Sequence, residues 1–160
     1  LPVSYFYKGS DFRDRDETIS ASVNKFGNGL IAGIYFNAGS SYAENKTFVI
    51  RDLIDSVIKE MDPGFIATLS GSNLVHMTVN RMNGRFYLNL INTAGEHTSQ
   101  SIGYDEIPPL HNLNISVAAD SRPTYVRLQP EGRDLEFTYS GGKISFTLPE
   151  LEVHSIIEIY

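Results

Sequence analysis

The 160-residue chain has no cysteine and no tryptophan, and its basic residues are few. Without cysteine there can be no disulfide, no thiolate metal site and no thiol nucleophile; that fits many compartments and selects none. Without tryptophan the chain lacks the preferred residue for stacking on sugar rings. Thirteen Lys and Arg against nineteen Asp and Glu give a net charge of −6. That balance argues against a nucleic-acid partner, because phosphate binding needs a basic surface. No apolar run approaches the roughly 20 residues needed to span a bilayer. Apolar residues at 41% and charged ones at 20% are those of an ordinary soluble globular protein. The length suits one domain or two small ones. The opening Leu1-Pro2-Val3 lacks an initiator methionine and is no signal peptide, so the expectation is a piece of something longer.

One stretch, Asn45 to Met61, divides the chain. Ile50, Leu53, Ile54, Val57, Ile58 and Met61 fall at i, i+3, i+4, i+7, i+8 and i+11, one apolar stripe on a helix. Asn45 or Thr47 can cap its start, and Asp62-Pro63-Gly64 stops it. No comparable helical signal occurs elsewhere. Before the helix the sequence reads as α/β, after it as nearly pure β. The expected domains are therefore 1–62 and 63–160. On the helix, Arg51, Asp55 and Lys59 are spaced to pair on an exposed face.

The N-terminal part starts with an apolar patch, Val3 to Tyr7. A charged run, Asp11-Phe12-Arg13-Asp14-Arg15-Asp16, comes next. Its acidic spacing faintly suggests a calcium loop but lacks the glycine and distal glutamate, so a solvated loop is the better reading. Ile19, Ala21 and Val23 alternate with polar residues as a half-buried strand, and Phe26-Gly27-Asn28-Gly29 turns the chain. The continuous apolar run Leu30 to Phe36 predicts a strand covered on both faces. Gly27-Asn28-Gly29-Leu30-Ile31-Ala32 spells the G-x-G-x-x-A dinucleotide fingerprint, but that motif must open a helix, and here a strand pattern comes after it. Asn37 to Glu44 reads as a connecting loop, with Tyr42 and Glu44 as conceivable pocket residues. A doubly covered strand needs more partners than 1–62 supplies. This part therefore either packs on the β-region beyond residue 62 or ends a larger α/β domain.

Beyond Gly64 the period becomes two. Asn83-Gly84 is the strongest short hairpin signal, and a two-residue turn there pairs Met82 with Arg85, Val79 with Leu88 and Met77 with Leu90. Val75, Met77 and Val79 then share a face with Phe86, Leu88 and Leu90. The opposite face collects His76, Thr78, Asn80, Tyr87, Asn89 and Ile91. Residues 94–111 form a long polar connection suited to a Greek-key crossing. Leu113, Ile115 and Val117 mark the next strand, then Thr124 to Gln129, and Pro130-Glu131-Gly132 turns. A second hairpin on Gly141-Gly142 sets Tyr139 opposite Ile144, Phe137 opposite Phe146 and Leu135 opposite Leu148. Pro149 breaks the run, and Leu151 to Tyr160 makes a final strand. The fold class is mainly β, α+β overall: a small α/β fragment with one principal helix, then an antiparallel Greek-key β-sandwich.

The usual chemical constellations are missing. His76, His97, His111 and His154 show no metal spacing. Leu69-Ser70-Gly71-Ser72-Asn73 misses the G-x-S-x-G nucleophile turn. Glycosidase chemistry needs two carboxylates across a cleft, and the strand glutamates Glu136, Glu150, Glu152 and Glu158 read as solvated. No catalytic residue, metal or cofactor is assigned. The sharper binding idea is carbohydrate on the polar face of the Asn83-Gly84 hairpin, where Tyr87 supplies a ring and His76, Asn80 and Asn89 supply polar partners. An ordinary solvent face of an antiparallel sheet has the same composition. Asn45-Lys46-Thr47 and Asn114-Ile115-Ser116 match the glycosylation triplet, a pattern common by chance.

The segment Val23-Asn24-Lys25-Phe26-Gly27-Asn28-Gly29-Leu30-Ile31-Ala32, with the loop and the Arg51-Asp52-Leu53 helix, resembles the end of a glutamine-amidotransferase-like α/β domain. Such domains, also called trimerisation domains, occur in large bacterial glycoside hydrolases of the β-galactosidase type. Val75 to Asn92 is similar to a hairpin of those enzymes. Val126 to Gly132 and Leu148 to His154 are similar to their C-terminal β-domain. The resemblance implies the last part of a glycoside hydrolase whose catalytic barrel, with its acid/base and nucleophile glutamates, lies upstream. No position here matches those glutamates. It further implies a non-catalytic role in packing, oligomerisation or lining the cleft, with the upstream domain as partner and a homo-oligomer as a further expectation. A bacterial periplasmic or extracellular location is favoured over a cytoplasmic one. An independent carbohydrate-binding module is the alternative, and a small self-contained hydrolase the third reading.

Overall fold

Turn chemistry and alternation dictate most of the local structure. In a computed structural model of the chain, residues 1–9, 13–61, 64–95 and 106–160 are described. The chain divides into two units, Leu1–Gly64 and Phe65–Tyr160.

The first unit is a three-stranded antiparallel sheet, ordered β1 (Pro2–Tyr7), β2 (Arg15–Phe26), β3 (Gly29–Ile34), with helices α1 (Ala38–Asn45) and α2 (Phe48–Glu60). Gly27, at a φ of 58°, makes the β2–β3 turn and Phe26 pairs with Gly29, so the glycine-rich fingerprint is a hairpin. Its small core joins Ala21, Val23 and Val57 to Val3, Ala32, Ile34 and Leu53.

Several expectations are corrected here. The run after Gly29 is not covered on both faces: β3 is an edge strand, with Leu30 at 41% and Ile31 at 53% exposure. The expected loop 37–44 is helical, because Asn37 accepts a hydrogen bond from the Ser40 N–H and caps it. Tyr42 and Glu44 therefore stand on α1, where Glu44 accepts from the Ser40 hydroxyl at 3.0 Å. Asn45 ends α1 instead of starting the long helix; Lys46 at the left-handed φ of 48° closes the first helix, and Thr47 precedes the second. On α2, Val57 is buried while Ile58 and Met61 stay exposed. Lys59 pairs with Asp55 at 2.5 Å, whereas Arg51 turns to its neighbour Asp52. The acidic run is described only from Arg13 onward; there, Asp16 caps Thr18.

The second unit is a β-sandwich. One sheet has the order β10 (Phe137–Ser140), β11 (Lys143–Leu151), β7 (Leu110–Ala118), β4 (Ala67–Ser70). The other has the order β5 (Val75–Met82), β6 (Arg85–Asn92), β12 (His154–Ile159), β8 (Val126–Gln129), β9 (Arg133–Asp134). Every strand pair is antiparallel, and the chain crosses repeatedly between sheets, so β12 enters between β6 and β8. The core draws Leu88, Leu90, Val126, Leu128, Ile157 and Ile159 from one sheet. Leu113, Ile115, Val117, Ile144, Phe146 and Leu148 come from the other.

Both hairpins adopt the expected register. Met82 faces Arg85, Val79 faces Leu88 and Met77 faces Leu90. Asn83 and Gly84 both have positive φ, 52° and 78°, as a two-residue turn matching strand twist requires. Ser140 faces Lys143, Tyr139 faces Ile144 and Phe137 faces Phe146. The ladder does not extend to Leu135. Its N–H instead bonds the Val126 carbonyl at 2.8 Å, and the side chain is buried as the chain changes sheets between β9 and β10. Pro149 does not end its strand either. It lies past the end of β10, where β11 has a strand partner on one side only, an edge position that tolerates a missing N–H. The last strand accordingly starts at His154 instead of Leu151. Of the expected 94–111 crossing, residues 96–105 lie outside the described residues, and His97 with them.

Candidate functional site

Alternation along β5 and β6 turns Val75, Met77, Val79, Phe86, Leu88 and Leu90 toward the core, which leaves the other set on the outer face of the five-stranded sheet. His76, Asn80, Tyr87 and Asn89 all belong to that outer set. Asn80 lies directly opposite Tyr87, Asn89 opposite Thr78, and His76 opposite Ile91. His76 and Asn80 are exposed; Tyr87 and Asn89 are half-buried. Tyr87 donates to Glu158 at 3.4 Å, but the side chains of His76, Asn80 and Asn89 have no hydrogen-bond partner among the described residues. The candidates thus form one open polar face, and none of them lines the clefts of about 870 and 790 Å3 in this unit.

The most organised chemistry on this face centres on a residue that sequence reasoning placed in solvent. The cross-strand row Asn80, Tyr87, Glu158, Arg127, Asp134 runs across all five strands. At its middle, Glu158 is only 7% exposed. Oε1 accepts from Arg85 at 2.6 Å, from the Tyr125 hydroxyl at 3.0 Å and from the Tyr87 hydroxyl at 3.4 Å. Oε2 accepts from the Gln129 amide at 3.0 Å. Around this carboxylate the Arg85 guanidinium covers the Tyr160 ring and Arg127 covers the Tyr125 ring, each at 4.4 Å. Arg127 also donates to Asp134 at 2.6 Å.

This environment sets the charge. The Gln129 amide, then Arg85 and Tyr125, hold the Glu158 carboxyl below its ordinary 4.5 although burial opposes them. Burial, then the bond to Glu158, pushes the Tyr125 phenol above its ordinary 10.0. A carboxylate that is ionised and saturated with donors is poor as a general acid or base. Glu136, Glu150 and Glu152 are exposed, and among the described residues Glu158 is the one buried acidic side chain. Glu158 is therefore held on this face as a hydrogen-bonded anion.

The remaining singled-out residues have structural partners or lie in solvent. His111 approaches Glu150 at 3.8 Å on the exposed side of the other sheet, and His154 is exposed. No group of three or more metal-ligating side chains occurs among the described residues. Asn92, at the end of the hairpin, is buried; its amide donates to the carbonyls of Pro108 and Glu152, and its oxygen accepts from the Ala94 N–H. It fastens three chain segments. No described helix is long and apolar enough to cross a membrane.

Sequence comparison gives no identity: no protein-family model and no curated protein matches the chain. Structural comparison gives a fold. The chain is similar to part of α-L-fucosidase isoenzyme 2 from Paenibacillus thiaminolyticus, with a TM-score of 0.72 and 17% identity. The match covers 98% of this chain and 25% of the fucosidase, so the chain spans about a quarter of that enzyme's length. A second, partial similarity is to a cycloisomaltooligosaccharide glucanotransferase from Paenibacillus sp., with a TM-score of 0.43 and 20% identity over 66% of this chain and 19% of that one. The class is thus a mainly β fold ending in an antiparallel sandwich, and the same fold occurs within a larger glycoside hydrolase.

Proposed function

We propose that the chain is a non-catalytic, C-terminal accessory region of a bacterial glycoside hydrolase of the β-galactosidase type, working beside a catalytic domain upstream in the same polypeptide. One observation carries the reading: the fold match takes in 98% of this chain but a quarter of a fucosidase. A piece of that proportion serves packing, oligomer contacts or the walls of a substrate cleft. The first unit as the end of an amidotransferase-like domain, and a periplasmic or extracellular location, belong to the same proposal. Turnover of an aryl glycoside by the purified chain would overturn the non-catalytic reading. Sedimentation over a range of concentrations tests oligomer contacts, and a strict monomer removes them.

A second reading, carbohydrate binding by the outer sheet face, has its own support. His76, Asn80 and Asn89 stand there without side-chain hydrogen-bond partners among the described residues, beside the Tyr87 ring. Polar groups left unpaired beside an aromatic face are suited to sugar hydroxyls and C–H faces. Titration with galactosides and plant-type oligosaccharides tests it. Saturable binding that is lost in Tyr87→Ala and weakened in Asn80→Ala, with an unchanged thermal midpoint for Asn80→Ala, favours the module.

A further inference from the structure

The outer face of the four-stranded sheet carries a wall. The β9–β10 crossing, Arg133 to Glu136, runs beside that face, and the two bound an open cleft of about 870 Å3. Leu135 is buried in the sandwich core, which anchors the wall.

Alternation sends Leu69, Ile115 and Phe146 to the core and leaves their neighbours on the cleft floor. Thr68, Ser116, Ser145 and Thr138 stand opposite one another across all four strands, and Ser70, Asn114 and Thr147 form the next row. All seven line the cleft. With neighbouring strands about 4.8 Å apart, the longer row spans roughly 14 Å. None of the seven is charged, although 20% of the chain's residues are. The outer face of the other sheet, by contrast, carries Arg85, Arg127, Asp134 and Glu158. A face that only meets water has no need to exclude ions. Hydroxyls and amides lose water at far lower cost than ions do, and can exchange it for a neutral hydrogen-bonding partner.

These groups also have donors to spare. The Thr147 hydroxyl donates to Asn114 Oδ1 at 2.9 Å, which leaves the Asn114 N–H₂ without a partner among the described residues. Ser145 donates to Ser116 at 3.4 Å, while the hydroxyls of Thr68 and Ser70 have no partner among the described residues. In the wall, Asp134 is taken up by Arg127. Arg133 and Glu136 remain there without ion pairs among the described residues, and their charges cancel. Exposed Pro149, two residues beyond Thr147, adds an apolar surface to the lining.

We propose that this cleft binds a neutral oligosaccharide laid across the strands. Ring hydroxyls meet the Thr68-to-Thr138 row and the Asn114 amide, and Pro149 receives a C–H face. The length of the row calls for several sugar rings in place of one. The site lies on the opposite sheet from His76, Asn80, Tyr87 and Asn89, and it does not depend on the accessory role in a glycoside hydrolase.

Amide NMR titration of the full chain with cellotetraose, maltotetraose and galactotetraose, and with glucose and galactose, tests it. At least one tetrasaccharide should bind saturably, at least tenfold more tightly than its monosaccharide, with little change as salt is raised. Shifts should concentrate in residues 67–70, 114–116 and 145–147. Asn114→Ala and Thr147→Val should each weaken binding several-fold, with thermal midpoints nearly unchanged because both side chains are exposed. The proposal is overturned by no saturable binding of any of the three tetrasaccharides or by equal affinity for the monosaccharides. Undiminished binding in the folded double variant overturns it too. Shifts confined to residues 75–92 would place the sugar on the other sheet and equally overturn this site.

Discussion

Arg85 and Glu158 meet at 2.6 Å across the β6–β12 boundary although 73 residues separate them in the chain. Arg85 opens β6 one residue past the Asn83-Gly84 turn, while Glu158 sits in an otherwise apolar strand end, Ile156-Ile157-Glu158-Ile159. With Tyr125 and Gln129, the pair closes a polar cluster whose donors leave no buried side-chain polar atom unsatisfied among the described residues.

Replacing that carboxylate has a pH signature. Glu158→Gln puts an amide N–H₂ among donors and should cost about 2 kcal/mol at neutral pH, the scale of lost hydrogen bonds to a charged group. Because the folded carboxyl titrates below its ordinary 4.5, its stabilisation is fully present above that value and is lost as pH falls through the lowered folded value. Urea unfolding of both proteins from pH 7 down to acid should show the gap between them narrowing below pH 4.5. A constant gap would refute the assignment.

Two glycines should differ in what a methyl group does. At Gly84, φ is 78° and an added Cβ meets nothing within 4 Å, so Gly84→Ala carries a conformational cost of about 1 kcal/mol. At Gly71, φ is 106° and the added Cβ would stand 2.9 Å from the Asn112 carbonyl oxygen, a backbone atom. Gly71→Ala should cost roughly 3 kcal/mol, since strain and overpacking add. Equal losses on denaturant unfolding would contradict this geometry.

The hairpin register can be checked through its two faces. Leu88 is fully buried and Ile91 is 43% exposed. Leu88→Ala should lose about 3 kcal/mol, while Ile91→Ala should change stability by roughly 0.5 kcal/mol. A one-residue slip would reverse that order.

The cores of the two units predict unequal autonomy. Residues 65–160 hold the large core, with fourteen buried apolar residues, whereas the first unit's core has three. Expressed alone, 65–160 should unfold cooperatively on heating, and 1–64 should show no cooperative transition. Dispersed amide spectra for the isolated 1–64 piece would reject the second expectation.

Legibility tracks the range of each interaction. The hairpin at Asn83-Gly84 could be read to the residue, and that at Gly141-Gly142 as far as Phe137 and Phe146 but not to Leu135 and Leu148, because turn type and side-chain alternation are both local and demand the same register. The outer-face companionship of His76, Asn80, Tyr87 and Asn89 came with it. Helix α1 was missed, since its short, polar Ala38–Asn45 sequence carries no apolar period and rests on an Asn37 cap.

Glu158 marks the boundary between the two kinds of knowledge. Its own neighbours show only an acidic residue in an apolar strand. Whether it faces water or donors depends on β12 entering between β6 and β8, which brings Arg85, Tyr125 and Gln129 to it from 73, 33 and 29 residues away. The turns and periods of this chain are written locally because backbone sterics act between neighbours. The charge state of Glu158 and the sheet switch at Leu135 arise only when distant strands bury one another.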